Sequence, residues 1–154
     1  MWTTDYRAST NASPDAVWAA LEALHSGTRL GPESDDFVLH GPFATGTTLT
    51  VTPQGQEPMT STIVELDPGH TYADRTEFGG LTLTFRHRLT PLEDGGTTVT
   101  HVLEIDGPDA DTMGPELGPQ ISDDFPTAMA ELFAAAERGV TAGRLRSICA
   151  GMAA

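Results

Sequence analysis

Alternation of apolar and polar residues dominates the middle of the chain. Leu81, Leu83, Phe85, His87 and Leu89 alternate with Thr82, Thr84, Arg86, Arg88 and Thr90. After a short gap, Thr97, Val99, His101, Leu103 and Ile105 alternate with Thr98, Thr100, Val102, Glu104 and Asp106. Neighbouring side chains on a strand point to opposite faces, so this pattern predicts two strands, Leu81–Thr90 and Thr97–Asp106, each with one mainly apolar face. The intervening Glu93-Asp94-Gly95-Gly96 reads as a hairpin turn. Weaker alternation and turn residues predict further strands at Thr3–Asn11, Phe37–His40, Thr47–Thr52, Met59–Leu66 and His70–Phe78. Asp67-Pro68-Gly69 and Gly79-Gly80 supply two of the turns.

Two stretches change to helical spacing. Ser13-Pro14-Asp15 gives an N-cap serine, a proline at the first helical position and an early acid. It opens a helix over Pro14–Leu24, with Val17, Leu21 and Leu24 on the core face and Trp18 beside them at the cavity edge. Ser26–Asp36, rich in Gly, Pro, Ser and acid, reads as a loop. Gly107–Pro119 reads as a linker for the same reason. A long helix is then predicted over Gln120–Arg138, its apolar face marked by Ile121, Phe125, Met129, Leu132, Phe133 and Ala136. Pro126 should kink or restart it, and Gly139 should stop it. The order is strand, helix, six strands, long helix. Six consecutive strands have one apolar face to cover, and the long helix is the available cover. A twisted antiparallel sheet wrapped round one helix leaves space between them, and such pockets commonly span ~300–1,000 Å³.

Composition narrows the partners. The 154 residues suit one domain, with 38% hydrophobic and 19% charged residues. The net charge of −14 disfavours nucleic acid and anionic membrane surfaces. No apolar run or leader-like segment stands out, so no membrane insertion and a cytoplasmic location are expected. All eight basic residues are arginine, which removes lysine Schiff-base and P-loop chemistry. The single Cys149 excludes an internal disulfide and multi-cysteine zinc sites, and is expected to be structural.

The candidate chemistry lies on the apolar strand faces. Pairing odd with odd residues across the 93–96 turn sets His87 opposite His101. A two-residue turn at Gly79-Gly80 sets Phe78 opposite Leu81, Thr76 opposite Leu83, Asp74 opposite Phe85 and Tyr72 opposite His87. Tyr72, His87 and His101 then form one row pointing inward, with Asp74 one step away. Titratable groups on a buried face indicate a lined cavity. With ordinary pKa values the histidines would supply acid–base groups near neutrality and Tyr72 a phenol donor. These four residues are the catalytic candidates. The plainer reading has the histidines hydrogen-bonded to each other, to Tyr72 or to buried water. Two histidines and an aspartate can also hold zinc or iron, but cavity histidines are more often hydrogen-bonding groups, and no metal or cofactor is expected. Arg86 and Arg88 should face solvent near Glu104 and Asp106. His25, His40 and His70 fall in loops or strand ends and receive no role.

The element order resembles the START/Bet v 1-like (SRPBCC) superfamily, an α+β helix-grip fold with a seven-stranded antiparallel sheet around a C-terminal helix. Gly41-Pro42-Phe43-Ala44-Thr45-Gly46-Thr47, Asp67-Pro68-Gly69, Phe85-Arg86-His87-Arg88, Gly95-Gly96-Thr97-Thr98-Val99-Thr100-His101 and Phe125-Pro126-Thr127-Ala128-Met129-Ala130-Glu131-Leu132 resemble its polyketide cyclase/dehydratase and lipid-transport branch. The likeness covers about residues 3–139. It implies a single helix-grip ligand-binding domain over 1–140, a tail over 141–154, and a monomer or homodimer. Ser26–Asp36 lacks the length and tryptophan of the second helix often found there, which would leave the cavity mouth more open or more mobile. The implied function is binding of a small hydrophobic molecule, aromatic or polyketide-like. Leu83, Phe85, Leu103, Phe125, Met129 and Phe133 would give affinity by burial, at ~25 cal/mol per Å², with Thr76 beside them. Tyr72, Asp74, His87 and His101 would orient the ligand. The alternative is a cyclase or dehydratase using those polar groups as acid and base. A chaperone-interacting domain would need an apolar outer sheet face, where threonine and charge stand instead.

Overall fold

The computed structural model describes residues 1–142. Among these, seven strands form one antiparallel sheet: β1 (Trp2–Thr10), β2 (Asp36–Leu39), β3 (Thr48–Thr52), β4 (Met59–Asp67), β5 (Thr71–Phe78), β6 (Leu81–Pro91) and β7 (Thr97–Asp106). Their spatial order is β1-β7-β6-β5-β4-β3-β2. The chain meanders from β2 to β7, and β1 closes the far side by pairing with β7 (Tyr6 opposite His101). Helices α1 (Pro14–His25), α2 (Ala110–Ser122) and α3 (Phe125–Glu137) cover the concave face.

Local chemistry explains the boundaries. The Ser13 hydroxyl accepts from the Ala16 amide at 3.1 Å and caps α1, whose Val17, Ala20 and Leu21 are fully buried. Gly79, at φ 60°, takes the left-handed turn position that sets Phe78 opposite Leu81. The β6–β7 turn is closed by the Leu92 amide donating to the Gly96 carbonyl at 2.9 Å, which sets His87 opposite His101. A bulge interrupts β4 between Ile63 and Glu65. It lies outside the β5–β6–β7 ladders, so the inward row keeps its register.

The predicted linker over Gly107–Pro119 is mostly helix, and the predicted long helix is two. α2 takes up residues 110–122, and α3 begins at Phe125 with Pro126 in its first turn. The glycines and prolines that suggested a linker occupy two different faces of α2. Ala110, Gly114 and Gly118 recur every fourth residue on the buried face. A side chain at Gly118 would lie 2.1 Å from the Trp2 ring, and one at Gly114 2.5 Å from Trp2 Cβ. The glycines therefore let α2 approach β1 closely. Pro115 and Pro119 face solvent, where carbonyls left without an amide partner are hydrated. Gly139, at φ 75°, ends α3 as expected. The tail lies largely outside the described residues, as does Cys149.

Two apolar clusters result. The larger joins α1 and α3 to the sheet through Val17, Leu21, Leu49, Ile63, Val99 and Leu132. The smaller, Leu81, Leu83, Leu103, Ile105, Ala110 and Phe125, lies under α2. Trp18 belongs to the larger cluster, edge-on to Phe43, and not to the cavity edge. On the outer face Arg86 pairs with Glu65 at 2.9 Å and with Glu104. It thereby covers Ala73, its cross-strand partner, which is fully buried.

Candidate functional site

Between the sheet and the helices lies a cavity of about 410 Å³. Its inner wall comes from β5, β6 and β7: Asp74, Thr76, Leu83, Phe85, His87 and His101. Leu21 and His25 of α1 and Phe125, Met129 and Leu132 of α3 close it. The predicted row exists: Tyr72, His87 and His101 are cross-strand partners in register. Eight of the residues expected to contact ligand line the cavity: Asp74, Thr76, Leu83, Phe85, His87, His101, Phe125 and Met129. Tyr72, Leu103 and Phe133 do not. Tyr72 is 1% exposed behind Asp74, Leu103 is sealed in the smaller cluster, and Phe133 flanks the buried stripe of α3 and packs on the larger one.

The histidines interact as rings. His101 is stacked between His87, with centroids 3.9 Å apart, and Phe125, at 3.7 Å. Neither ring makes a hydrogen bond to any described residue, and the buried Nδ1 of His87 is without a partner among them. Direct hydrogen bonds between the two histidines, or from them to Tyr72, are absent, and the rings stack instead. His87 is partly exposed and lines the cavity. Burial, followed by the proximity of the other histidines, drives the His87 pKa well below the ordinary value. Burial, with a smaller effect of His25, pushes His101 down to about 3. These imidazoles are neutral at pH 7, but they do not titrate near neutrality as an unperturbed pair would.

The sequence pattern left His25 in a loop after a helix ending at Leu24, without a role; the structure places it inside. It is the last residue of α1, 4% exposed, and its ring lies 4.1 Å from Tyr72 and 6.2 Å from His87. Its Nδ1–H donates to the Leu21 carbonyl at 2.8 Å, which leaves Nε2 as an acceptor on the neutral ring. Burial lowers its pKa to about 4, against a raising effect of that hydrogen bond. The spacing Val17–Leu21–His25 continues the buried face by fours and is the signal that places it inside.

Burial raises the pKa of two cavity-lining carboxylates, Asp35 and the deeper Asp74, to about 6. Asp74 is 5% exposed and accepts a 2.8 Å hydrogen bond from the Tyr72 hydroxyl. Burial raises its pKa to about 6, against the lowering effect of Tyr72 and, more weakly, of Ser61, whose buried hydroxyl makes no hydrogen bond of normal length. Burial and the Asp74 carboxylate raise the Tyr72 phenol above its ordinary range.

The mouth is built differently. Glu33, Ser34 and Asp35 of the 26–35 loop, Gln56, Gln120, and Asp123 and Asp124 of the α2–α3 joint surround it, with Glu131 of α3. The loop contains no helix but is tied down. The Glu33 amide donates to Glu131 at 3.0 Å, Arg29 pairs with Asp36 at 3.2 Å, and Arg138 donates to the Leu30 carbonyl at 3.2 Å. No group of three or more His, Cys, Asp or Glu able to hold a metal ion occurs among the described residues.

The family model for polyketide cyclase / dehydrase and lipid transport matches residues 1–137, and the chain belongs to that family. No curated protein matches. Among solved structures, protein MLL2253 from Mesorhizobium loti shares 17% identity at a TM-score of 0.66, over 88% of this chain and 97% of that one. Protein NE0264 from Nitrosomonas europaea shares 15% at 0.67, over 89% and 95%. Norcoclaurine synthase from Thalictrum flavum shares 14% at 0.63, over 88% and 84%. At these identities the likeness is one of fold.

Proposed function

We propose that this member of the polyketide cyclase / dehydrase and lipid transport family binds a small hydrophobic molecule, aromatic or polyketide-like, between its sheet and helices. The observation that carries the reading is the stack of His87 and His101 on the inner wall of the cavity, beside Leu83, Phe85, Phe125 and Met129, with no hydrogen bond to the described protein. Buried polar groups are normally satisfied. Here the scaffold leaves them for a bound molecule, while Leu83, Phe85 and Met129 supply apolar contact. The volume suits a ligand of two or three fused rings. Native mass spectrometry of the purified protein, with denaturing extraction, tests this: a co-purifying apolar molecule is expected, and it should be lost in Met129→Trp, which fills the cavity. An identical bound species in that variant refutes the site.

An enzymic reading rests on a second observation, the buried Tyr72–Asp74 pair. In a cyclase or dehydratase of this design Asp74 is the proton acceptor, because burial raises its pKa to about 6, and the neutral imidazoles position substrate. Asp74→Asn should then abolish turnover with KM nearly kept. For a carrier the same change alters affinity alone.

A further inference from the structure

The charge on the cavity walls is one-sided. Six carboxylates line it: Glu33, Asp35, Asp74, Asp123, Asp124 and Glu131. No arginine lines it among the described residues, and its three histidines are held neutral. Asp74 is deep, whereas the other five surround the exposed end. None of these five makes an ion pair among the described residues, since the nearby Arg29 is engaged by Asp36. They approach from two sides, the 26–35 loop and the α2–α3 joint with α3, so they repel across the opening: burial chiefly, and then Asp124 and, more weakly, Glu131, raise the Asp35 pKa. Asp124 holds the N-cap position of α3 without forming a side-chain cap, so helix capping does not account for it. At the other end of the same cavity His101, 8% exposed, makes no hydrogen bond to the described protein. The unpartnered imidazole points to a ligand seated inside, and the unpaired carboxylates fix the charge of its outer end.

Building on the hydrophobic-ligand reading, we infer that the ligand is an organic cation: an apolar or aromatic body against His87, His101 and Met129, with a protonated amine at the mouth facing Asp35, Asp124 and Glu131. Fatty acids, other carboxylates and phosphorylated compounds are rejected by the same field.

Three probes of one shape decide it: 2-naphthylmethylammonium, 2-naphthylmethanol and 2-naphthoate, titrated at pH 7.5 by calorimetry. The ammonium should bind about tenfold or more tighter than the alcohol, and the carboxylate more weakly than the alcohol. The preference for the ammonium over the alcohol should shrink to about twofold or less in Asp35→Asn/Asp124→Asn. Met129→Trp should abolish binding of all three. Alcohol binding with no discrimination among charges overturns the cation inference and leaves the hydrophobic pocket standing. Failure of all three probes overturns both. Ammonium binding that survives Met129→Trp locates the cation on the outer surface and also overturns the inference.

Discussion

Replacing His101 should flatten the acid side of the stability curve. In the folded chain His25 stays neutral down to about pH 4 and His101 down to about pH 3. Once unfolded, each takes up a proton near pH 6.5. Below that value the unfolded state binds more protons, so stability falls as pH falls. Between pH 7 and pH 5 each such histidine removes roughly 2 kcal/mol, and His87 acts in the same direction. Asp74 opposes them: its folded pKa of about 6 lies above the ordinary 3.8, so the native state holds the extra proton and stability loss is greatest above pH 6. Over the same interval it returns roughly 1 kcal/mol. For His25, His101 and Asp74 together the net loss is on the order of 3 kcal/mol, a large part of a typical ~5–15 kcal/mol. Urea unfolding of wild type, His101→Phe and His101→Gln at both pH values measures it. Both variants should lose about 2 kcal/mol less than wild type. Phenylalanine preserves the stack on Phe125 and glutamine does not, so agreement between them separates titration from packing. Equal losses in all three proteins, or a flat wild-type curve, refute the assignment of neutral, buried imidazoles.

Other perturbations test other parts of the fold. Tyr72→Phe removes the hydroxyl that donates to Asp74 and should cost about 1–3 kcal/mol at pH 7 in urea unfolding, and less at pH 5, where Asp74 is largely protonated. Gly118→Ala, which in an unconstrained helix would stabilise, should destabilise by about 1–3 kcal/mol because its Cβ meets the Trp2 ring, and near-ultraviolet circular dichroism should report the displaced indole. Arg86→Met, which keeps an apolar stem over Ala73, should change stability by less than about 1 kcal/mol despite losing two ion pairs, as read from the thermal midpoint in low and high salt.

The sheet was legible because its signals are local. Period-two alternation and two tight turns suffice to put Tyr72, His87 and His101 in one row, since register follows from counting back from a turn. The helical cover was less legible. Gly114, Pro115, Gly118 and Pro119 all have low helix propensity, and only the position of Trp2, more than a hundred residues earlier, makes the two glycines useful. The site was legible as a set of residues but not as a set of states. Whether His101 hydrogen-bonds or stacks depends on Phe125, a residue on another element. The acid rim was illegible for the same reason: Asp35 and Asp124 are far apart in sequence and meet only when α3 packs beside the loop.

The break at Asp123-Asp124 divides labour between parts of the chain. α2 rests on β1 and β7, whereas α3 rests chiefly on α1. The strands that carry Asp74, His87 and His101 are fixed by their ladders and by the turns between them. Leu117 and Ile121 on one leaf of the roof, and Ala128 and Met129 on the other, bound the same space from above. Substitution there resizes the chamber and leaves the polar floor alone. In such a chain, drift in two short amphipathic segments reshapes the chamber, with its titratable groups inherited unchanged.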